Sequence, residues 1–365
     1  MIRLLIIDDS ALMRRLLTEI FTSAGDFDVT AAPGGVAALD MLADVAPDVI
    51  TLDVNMPEMD GLTCLDRIMV MRPCPVVMVS SLTSDGAEET LEAMALGAVD
   101  FIAKPKGAVS LEIGAIAEDL VDKVRAASKA RISRATRLRE RVRASAGLSK
   151  RKPHAVSPAS HGLVELPPLS DVQGETGVVL IGCSTGGPPA LDAVLGDLPE
   201  DFPWPILIAQ HMPASFTGPL ARRLDRICAL SVQEITTTTP LRPGHAYIGK
   251  GDADLILSRR KGQLVALPAP VSSDYYWHPS VDRLVDSAMR LVASERLVGV
   301  LMTGMGTDGA AAMTRLKQAG GLTIAEAESS AVVWGMPRAL VQADGAGLVR
   351  PLDRIAEALM ALLPA

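Results

Sequence analysis

The chain has 365 residues, which at roughly 150 residues per domain predicts two or three domains and excludes a small fold held together by disulfides. Its 48% hydrophobic and 21% charged residues exclude a disordered or collagen-like chain, and 5 Phe, 3 Tyr and 3 Trp are too few for platforms that stack single-stranded nucleic acid. The net charge of -8 is unevenly spread, because residues 1–120 carry 7 basic and 20 acidic side chains whereas residues 121–152 carry 12 basic and 2 acidic ones.

The apolar runs of the chain are strand-sized and fall far short of the roughly 20 residues that span a bilayer. The acidic pair Asp8-Asp9 follows the first apolar run at a point where a signal peptide would stay apolar. We therefore expect a cytoplasmic protein with no membrane insertion. Four cysteines without C-x-x-C spacing predict reduced thiols rather than disulfides or a metal site, and they are Cys64, Cys74, Cys183 and Cys228.

The first 120 residues alternate strand-sized apolar runs with amphipathic helical segments. Five strands that are each followed by a helix predict a parallel sheet covered on both faces, as in flavodoxin-like folds. Ligands of such sheets bind at the carboxyl ends of the strands. The predicted strands are residues 3–8, 28–32, 48–53, 75–80 and 100–104, and the predicted helices begin near Ser10, Gly35, Gly61, Ala87 and Ser110.

Five polar side chains stand at the predicted carboxyl ends of these strands, namely Asp8, Asp9, Asp53, Ser80 and Lys104. Three carboxylates in one place repel each other unless a divalent cation such as Mg²⁺, which prefers oxygen ligands, neutralises them. Asp53 would then be free to attack phosphorus, with Lys104 and the Ser80 hydroxyl holding the transferred oxygens. Helix capping and a structural ion pair would explain one or two of these residues, but not all five.

These residues resemble the receiver domain of bacterial response regulators, as do the stretches 53–61 and 104–105, and the resemblance covers residues 1 to about 120. It implies that Asp53 is the phosphoacceptor, that Ser80 and Phe101 are the switch pair, and that Lys104 senses the phosphoryl group. Ser80 stands where many relatives have Thr, which should leave switching intact. The resemblance also implies a Mg²⁺ site with ligands from Asp8, Asp9, Asp53 and the backbone carbonyl of Asn55.

A change in composition separates the two halves of the chain. The helix predicted from Ser110 keeps its apolar period to about Val124, after which the sequence becomes rich in Arg and Ala and then in Pro, Ser and Gly. We therefore predict domains over residues 1–124 and 176–365, joined by a linker over residues 125–175. Its basic part could bind nucleic acid, but it lacks interleaved aromatic residues and joins two acidic blocks, so a solvated linker is favoured.

A second alternating series starts at Gly177 and predicts a second doubly wound α/β domain. Between its strands, residues 231–268 contain short β-rich pieces with turn signals, which predict a β-hairpin excursion off the main sheet. The predicted strands are residues 178–182, 206–210 and 298–303, and the predicted helices follow Pro188, Phe216, Pro279 and Gly309.

Ser184 lies between glycines at a predicted turn from a strand into a helix. Such a turn exposes the hydroxyl beside backbone N–H groups and a helix N-terminus, which stabilise a developing oxyanion. The pattern fits G-x-S-x-G, but phosphate loops, dinucleotide loops and simple packing use similar turns. Dinucleotide binding is disfavoured because the spacing is not G-x-G-x-x-G and we find no acidic residue at the end of a following strand.

His211 follows the next predicted strand, and Asp308 lies in a glycine-rich loop after the strand over 298–303. If these strands are neighbours, His211 is a general base for Ser184 and Asp308 fixes the tautomer of its imidazole. His211 could instead be a hydrogen-bonded strand-end residue and Asp308 the N-cap of a helix that begins at Gly309. The three together favour catalysis. The other histidines are poorer candidates: His154 and His161 lie in the linker, His245 in a turn, and His278 before a helix.

From about residue 177 to its end the chain resembles the catalytic domain of chemotaxis receptor methylesterases of the CheB type. The resemblance implies a triad of Ser184, His211 and Asp308, an oxyanion hole to which the Met305 backbone amide contributes, and no cofactor for the esterase site. Relatives usually have His-Arg where this chain has Trp277-His278, and Gln where it has Glu326, so its substrate contacts could differ. The matching stretches are residues 182–187, 210–213, 279–282, 304–309 and 335–338.

The two resemblances together predict a phosphorylation-activated serine hydrolase that demethylates glutamate methyl esters, and deamidates glutamines, on methyl-accepting chemoreceptors. They imply a chemotaxis histidine kinase as phosphodonor and leave open an association with receptor arrays. One alternative is a phosphorylation-switched adaptor without chemistry, which would have no need of Ser184 paired with His211. The other is a DNA-binding regulator, which is disfavoured because residues 153–365 carry 16 basic and 21 acidic side chains and no basic recognition helix.

Overall fold

A computed structural model describes residues 1–80, 84–104, 113–130 and 177–363 of the chain. The chain divides into two compact units, Met1–Gly147 and Leu148–Ala365. The predicted linker over 125–175 lies outside the described residues, apart from its first six positions. Within the described ranges, no helix combines the length and the apolarity needed to cross a membrane.

The first unit is built on five parallel strands with intervening helices. Its elements are β1 (Ile2–Ile7), α1 (Ala11–Ser23), β2 (Phe27–Ala32), α2 (Gly35–Val45), β3 (Val49–Asp53), α3 (Gly61–Met71), β4 (Val76–Ser80), α4 (Ser84–Ala95), β5 (Asp100–Ala103) and α5 (Ile113–Ala127). The sheet order is β2-β1-β3-β4-β5. The residues of β3 and β4 are all buried, as expected of strands covered on both faces. The predicted flavodoxin-like architecture is confirmed.

The junction between β3 and α3 holds the end of β3 tightly. Gly61 donates its backbone N–H to the Val54 carbonyl at 2.8 Å. A Cβ at Gly61 would lie 2.2 Å from the Asp53 carbonyl oxygen, so only glycine lets the two segments approach this closely. Asp60 caps α3 by accepting the Thr63 N–H at 2.7 Å. The segment that carries Asp53 is therefore fixed from both sides.

The second unit is a larger parallel sheet with helices and a small antiparallel sheet. Its elements are β6 (Val178–Cys183), α6 (Gly187–Gly196), β7 (Ile206–Gln210), α7 (Ala214–Ile227), β8 (Ser231–Ile235), β9 (Thr239–Pro240), β10 (His245–Gly249), β11 (Asp254–Arg260), β12 (Gln263–Ala269), α8 (Val281–Met289), β13 (Leu297–Leu301), α9 (Ala310–Gln318), β14 (Leu322–Glu326), α10 (Met336–Gln342), β15 (Leu348–Arg350) and α11 (Ile355–Leu362). The main sheet has the order β15-β14-β13-β6-β7-β10-β8, and β11, β12 and β9 form the small sheet. The predicted α/β class is confirmed.

The segment over residues 231–268 differs from its prediction in one respect. Strands β11 and β12 are the expected antiparallel hairpin. Strands β8 and β10, however, are parallel members of the main sheet, where β10 pairs with β7. The reason lies in burial, since Tyr247 and Ile248 of β10 are fully buried in the core of this sheet. Both strands are only five residues long, too short for their pattern to show which sheet they join.

Candidate active site

The three central strands of the second unit bring its predicted site residues to one edge. Strands β13, β6 and β7 are adjacent and parallel. Ser184 follows β6, His211 follows β7, and Asp308 lies in the loop after β13. Backbone hydrogen bonds join the three strand ends, with Ser184 N–H donating to the Thr303 carbonyl at 2.9 Å and His211 N–H to the Cys183 carbonyl at 3.0 Å. The parallel register therefore places the three segments beside one another.

The turn at Ser184 is shaped by the glycines that follow it. Gly186 has a positive φ of 77° and precedes α6. Gly187 donates its N–H to the Ser184 carbonyl at 2.8 Å, and a Cβ on Gly187 would lie 1.8 Å from Oε1 of Gln210. Only glycine allows the helix to start this close to β7. Ser184 is thus held at the N-terminus of α6, where backbone N–H groups favour negative charge.

The imidazole of His211 is bound through one of its two nitrogens. Its Nε2 lies 2.8 Å from Oδ2 of Asp308. Its Nδ1 is buried and has no hydrogen bond to any of the described residues. Since Asp308 occupies Nε2, the nitrogen left to accept a proton is Nδ1. In serine-protease triads the two ring nitrogens have the opposite partners, with the carboxylate on Nδ1.

The carboxylate of Asp308 is anchored by the N-terminus of a helix that is distant in sequence. It accepts the N–H of Val281 at 2.7 Å, the N–H of Asp282 at 3.1 Å and the hydroxyl of Ser280 at 3.1 Å. These groups belong to the first turn and the N-cap of α8. Burial alone would raise the pKa of Asp308, but the bonds from His211 and from this helix hold the pKa below its ordinary value. Asp308 is therefore a fixed anion that can orient an imidazole.

The sequence left open that Asp308 is only the N-cap of the helix that follows it. The structure shows no such cap. The N-cap of α9 is Gly309, and it has no side-chain capping bond. The adjacent carboxylate of Asp282 accepts the Ala312 N–H at 2.8 Å. Burial and, to a smaller extent, the charge of Asp308 raise the pKa of Asp282 to about 6.

The Met305 amide lies in a loop that contacts the Ser184 turn. The Gly304 carbonyl accepts the N–H groups of Gly335 at 3.1 Å and Met336 at 2.9 Å. Because a peptide bond is planar and trans, the N–H of Met305 points away from these two donors. A Cβ on Gly304 would lie 2.8 Å from the Cβ of Ser184, so the loop and the nucleophile turn are in contact. This arrangement suits an oxyanion donor.

Gln210 had no role in the sequence prediction, but it joins the two turns that carry Ser184 and His211. Its Nε2 donates to the carbonyls of both residues at 3.0 Å, and its Oε1 accepts the thiol of Cys183 at 3.0 Å. Gln210 is 2% exposed. The sequence did offer a signal for this role, because Gln210 is an amide at the end of an otherwise apolar strand. A buried polar group there requires hydrogen-bond partners.

A buried carboxylate braces the loop that carries Met305. Glu326 ends β14, so an acidic residue does stand at a strand end, contrary to the sequence prediction. Its two oxygens accept the Thr303 N–H at 2.8 Å and the Ser330 hydroxyl at 2.9 Å. Burial raises the pKa of Glu326 to about 7. Because it is only 1% exposed and bonded internally, Glu326 cannot reach a dinucleotide ribose, and that alternative stays disfavoured.

The other histidines of the described ranges have structural partners. His245 Nδ1 lies 2.8 Å from the Pro243 carbonyl, and His278 Nδ1 lies 3.0 Å from Oδ1 of the buried Asp254. Arg283 also pairs with Asp254. His154 and His161 lie outside the described residues.

The predicted site residues of the first unit also gather at the carboxyl ends of its strands. Lys104 Nζ lies 2.7 Å from Oδ2 of Asp53 and 3.2 Å from Oδ2 of Asp8. Burial raises the pKa of Asp53, although the ion pair with Lys104 opposes the shift. Carboxylate oxygens of Asp8, Asp9 and Asp53 lie within 4.8 Å of one another. This set of hard oxygen donors fits Mg²⁺.

The remaining predicted residues of this unit lie close by. Asn55 follows the strand end and donates its N–H to Oδ1 of Asp53 at 3.3 Å. Ser80 is fully buried and donates its hydroxyl to the Gly86 carbonyl at 3.1 Å. Phe101 is 3% exposed, with Lys123 Nζ 5.9 Å from its ring centre.

Comparison with known proteins identifies both units. Residues 4–113 match the family model of the response regulator receiver domain, and residues 179–359 match that of the CheB methylesterase. A Rhodopseudomonas palustris protein named protein-glutamate methylesterase/protein-glutamine glutaminase 2 is 54% identical over 99% of this chain and 98% of its own length. A Rhodospirillum rubrum protein named protein-glutamate methylesterase/protein-glutamine glutaminase 3 is also 54% identical, over 99% and 96%. The crystal structure of the Thermotoga maritima CheB methylesterase catalytic domain is 37% identical and covers 52% of this chain and 100% of its own, with a TM-score of 0.50.

Proposed function

The chain belongs to the CheB methylesterase family, with an N-terminal receiver domain, and on this basis we propose how its residues perform the reaction. It is a response regulator and a protein-glutamate methylesterase that also acts as a protein-glutamine glutaminase. The observation that carries the catalytic assignment is the His211–Asp308 pair at the edge of the sheet that bears Ser184, with Nδ1 of His211 left without a partner among the described residues.

Ser184 is the nucleophile of the first half-reaction. Its Oγ attacks the ester carbonyl carbon as its proton passes to Nδ1 of His211, and the electron pair of the C=O bond moves onto the carbonyl oxygen. The Met305 N–H stabilises the resulting oxyanion. Asp308, kept ionised by the N-terminus of α8, stabilises the imidazolium that forms. Collapse of the tetrahedral intermediate breaks the C–O bond, and methoxide takes the proton from His211 and leaves as methanol.

The second half-reaction returns the enzyme to its starting state. Water loses a proton to His211 and attacks the acyl carbon, and the bond to Ser184 Oγ breaks as that oxygen regains a proton. The product is a glutamate side chain. With a glutamine substrate the same steps release ammonia in place of methanol, which explains how one site performs both reactions.

The receiver unit controls this site through a phosphoryl group on Asp53. Oδ of Asp53 attacks the phosphorus of a phosphohistidine, and the P–N bond breaks, so the kinase histidine is the leaving group. Asp8, Asp9, Asp53 and the Asn55 carbonyl would hold Mg²⁺, which would supply positive charge to offset that of the phosphoryl oxygens. Lys104 is placed to bind one of these oxygens, and Ser80 and Phe101 are the switch pair.

The substrates and partners follow from this assignment. The esters are on the cytoplasmic helices of methyl-accepting chemoreceptors, and the phosphodonor is a chemotaxis histidine kinase. We place the protein in the cytoplasm, in association with receptor arrays. The esterase chemistry requires no cofactor, because nucleophile, base and oxyanion donor all come from the chain.

Methanol release from methylated receptor membranes tests the catalytic proposal. We expect Ser184→Ala to lower the rate by more than about 10³-fold, since loss of the nucleophile removes the covalent step. The matched control is Ser231→Ala, an exposed serine at the amino end of β8, which should keep the wild-type rate. If Ser184→Ala releases methanol at the wild-type rate, the serine mechanism is wrong. If the wild type and Ser184→Ala both release no methanol, the alternative of an adaptor without catalytic activity is favoured.

A further inference from the structure

We propose that Trp277 is a positioning residue for His211, fixing the plane of the imidazole from which Nδ1 accepts the proton of Ser184. The proposal rests on the catalytic roles given above and extends them to a residue that no part of the triad mechanism uses. It also gives a physical meaning to one of the positions at which this chain departs from the usual family pattern.

The indole of Trp277 stacks on the imidazole of His211 in an offset, nearly parallel arrangement. The two ring centres are 5.1 Å apart and the rings are within 9° of parallel. The side chain of His211 is only 7% exposed. The indole also meets the ring of Tyr276 edge-on, with ring centres 4.8 Å apart and planes at 81°. A Cβ on Gly306 would lie 3.5 Å from the indole, so Trp277 also reaches the loop that carries Met305 and Asp308.

The stack supplies a restraint that the hydrogen bond to Asp308 does not. One hydrogen bond at Nε2 fixes the position of that atom but allows the ring to tilt about the bond. An offset, parallel aromatic surface opposes this tilt, because tilting would break the van der Waals contacts between the two ring faces. The face of the indole also attracts the imidazolium that forms when His211 accepts the serine proton. Both effects act on the chemical step rather than on binding of the receptor.

Two substitutions separate stacking from apolar volume. Trp277→Phe keeps a planar ring that can stack, whereas Trp277→Leu keeps an apolar side chain that cannot. In the full-length, phosphodonor-activated protein we expect Trp277→Leu to lower kcat for methanol release about 5- to 20-fold with little change in KM, and Trp277→Phe to stay within about threefold of wild type. The control is Val271→Ser, since Val271 is an apolar residue of the same segment that is 54% exposed, and its kcat should be near that of wild type.

A second readout uses a small reagent that makes no receptor contacts. The rate at which diisopropyl fluorophosphate labels Ser184 reports activation of its hydroxyl, and we expect it to fall in Trp277→Leu by the same factor as kcat. If KM rises while labelling is unchanged, Trp277 contacts substrate and the proposal is wrong. Equal losses in the Phe and Leu variants would also overturn it. A wild-type protein that releases no methanol would instead refute the proposed function, and the labelling rates would still test the stack.

Discussion

Glu326 is the residue for which the structure makes the sharpest pH prediction. Burial raises its pKa to about 7, whereas in the unfolded chain it titrates near 4.5. A raised pKa means that the folded state binds the proton more tightly than the unfolded state does. The stability that protonated Glu326 contributes is therefore complete below pH 4.5 and is lost as the pH rises to about 7. The loss is on the order of 3 kcal/mol, at 1.36 kcal/mol per unit.

We expect Glu326→Gln to remove this loss, because Gln can accept the Thr303 N–H with its oxygen and donate to Ser330 with its amide. Between pH 5 and pH 7.5, the free energy of unfolding of the variant should therefore rise relative to that of wild type. Urea unfolding followed by tryptophan fluorescence measures it for the second unit alone, since Trp204, Trp277 and Trp334 all lie there. Glu328→Gln, at an exposed carboxylate, is the control. Parallel pH profiles for wild type and Glu326→Gln would contradict the prediction.

Residues whose role depends on a strand end were accessible to sequence reasoning. Ser184, His211 and Asp308 were selected because parallel strands deliver their ends to one edge, and the structure places them there. Gln210 and Glu326 were not selected as site residues, because they act through hydrogen bonds to turns that only folding brings together. The same limit applied to Asp308, whose anchor is a helix start 27 residues away in sequence. The catalytic roles themselves stay proposals.

The two glycines of α6 test how closely that helix must approach β7. Gly187 and Gly196 begin and end the same helix, but a Cβ on Gly187 would overlap the amide of Gln210 and one on Gly196 would meet nothing within 4 Å. We expect Gly187→Ala to displace the Ser184 turn, lower methanol release by about 10- to 100-fold and destabilise the second unit by about 1–3 kcal/mol. Gly196→Ala should leave activity unchanged. Wild-type activity in Gly187→Ala would show that the close approach is dispensable.

The hydrophobic pattern of the sequence predicted the central strands of the main sheet in the second unit but missed strands towards its edges. β6 and β7 are continuous apolar runs bounded by turn signals, and both were placed to within one residue. Neither β14 nor β15 was predicted. Strand β15 has only three residues, whereas β14 follows the pair Gly320-Gly321, a turn signal that the sequence prediction did not use. The sheet partners of β8 and β10 depend on how deeply these strands are buried in the folded unit, which a short stretch of sequence does not reveal.

For the whole molecule, the decisive prediction concerns coupling between the units. Phosphorylation of Asp53 should raise methanol release about 5- to 150-fold, the range that a coupling free energy of about 1–3 kcal/mol provides. A small phosphodonor such as acetyl phosphate, with Mg²⁺, measures the effect directly. Asp53→Asn should stay at the basal rate, and chelation of Mg²⁺ should return wild type to it. Equal stimulation of wild type and Asp53→Asn would show that the phosphodonor acts elsewhere.

A fragment that starts at Gly177 tests the sign of this coupling. If the unphosphorylated receiver inhibits, the fragment should exceed the full chain in the absence of phosphodonor, and the T. maritima catalytic domain shows that such a unit can be crystallised by itself. Equal rates would mean that phosphorylation activates without relief of inhibition. The two-unit organisation could be predicted from the sequence because each unit carries its own complete set of motifs. The linker between them has a distinctive composition but no pattern that predicts a structure.

The tie between Asp308 and the first turn of α8 makes the esterase intolerant of partial melting. If that turn frays, the carboxylate loses three of its four donors at once and can no longer hold the histidine. Local melting at a helix start distant from Ser184 in sequence would therefore abolish esterase activity while the strands that carry the catalytic residues stay folded.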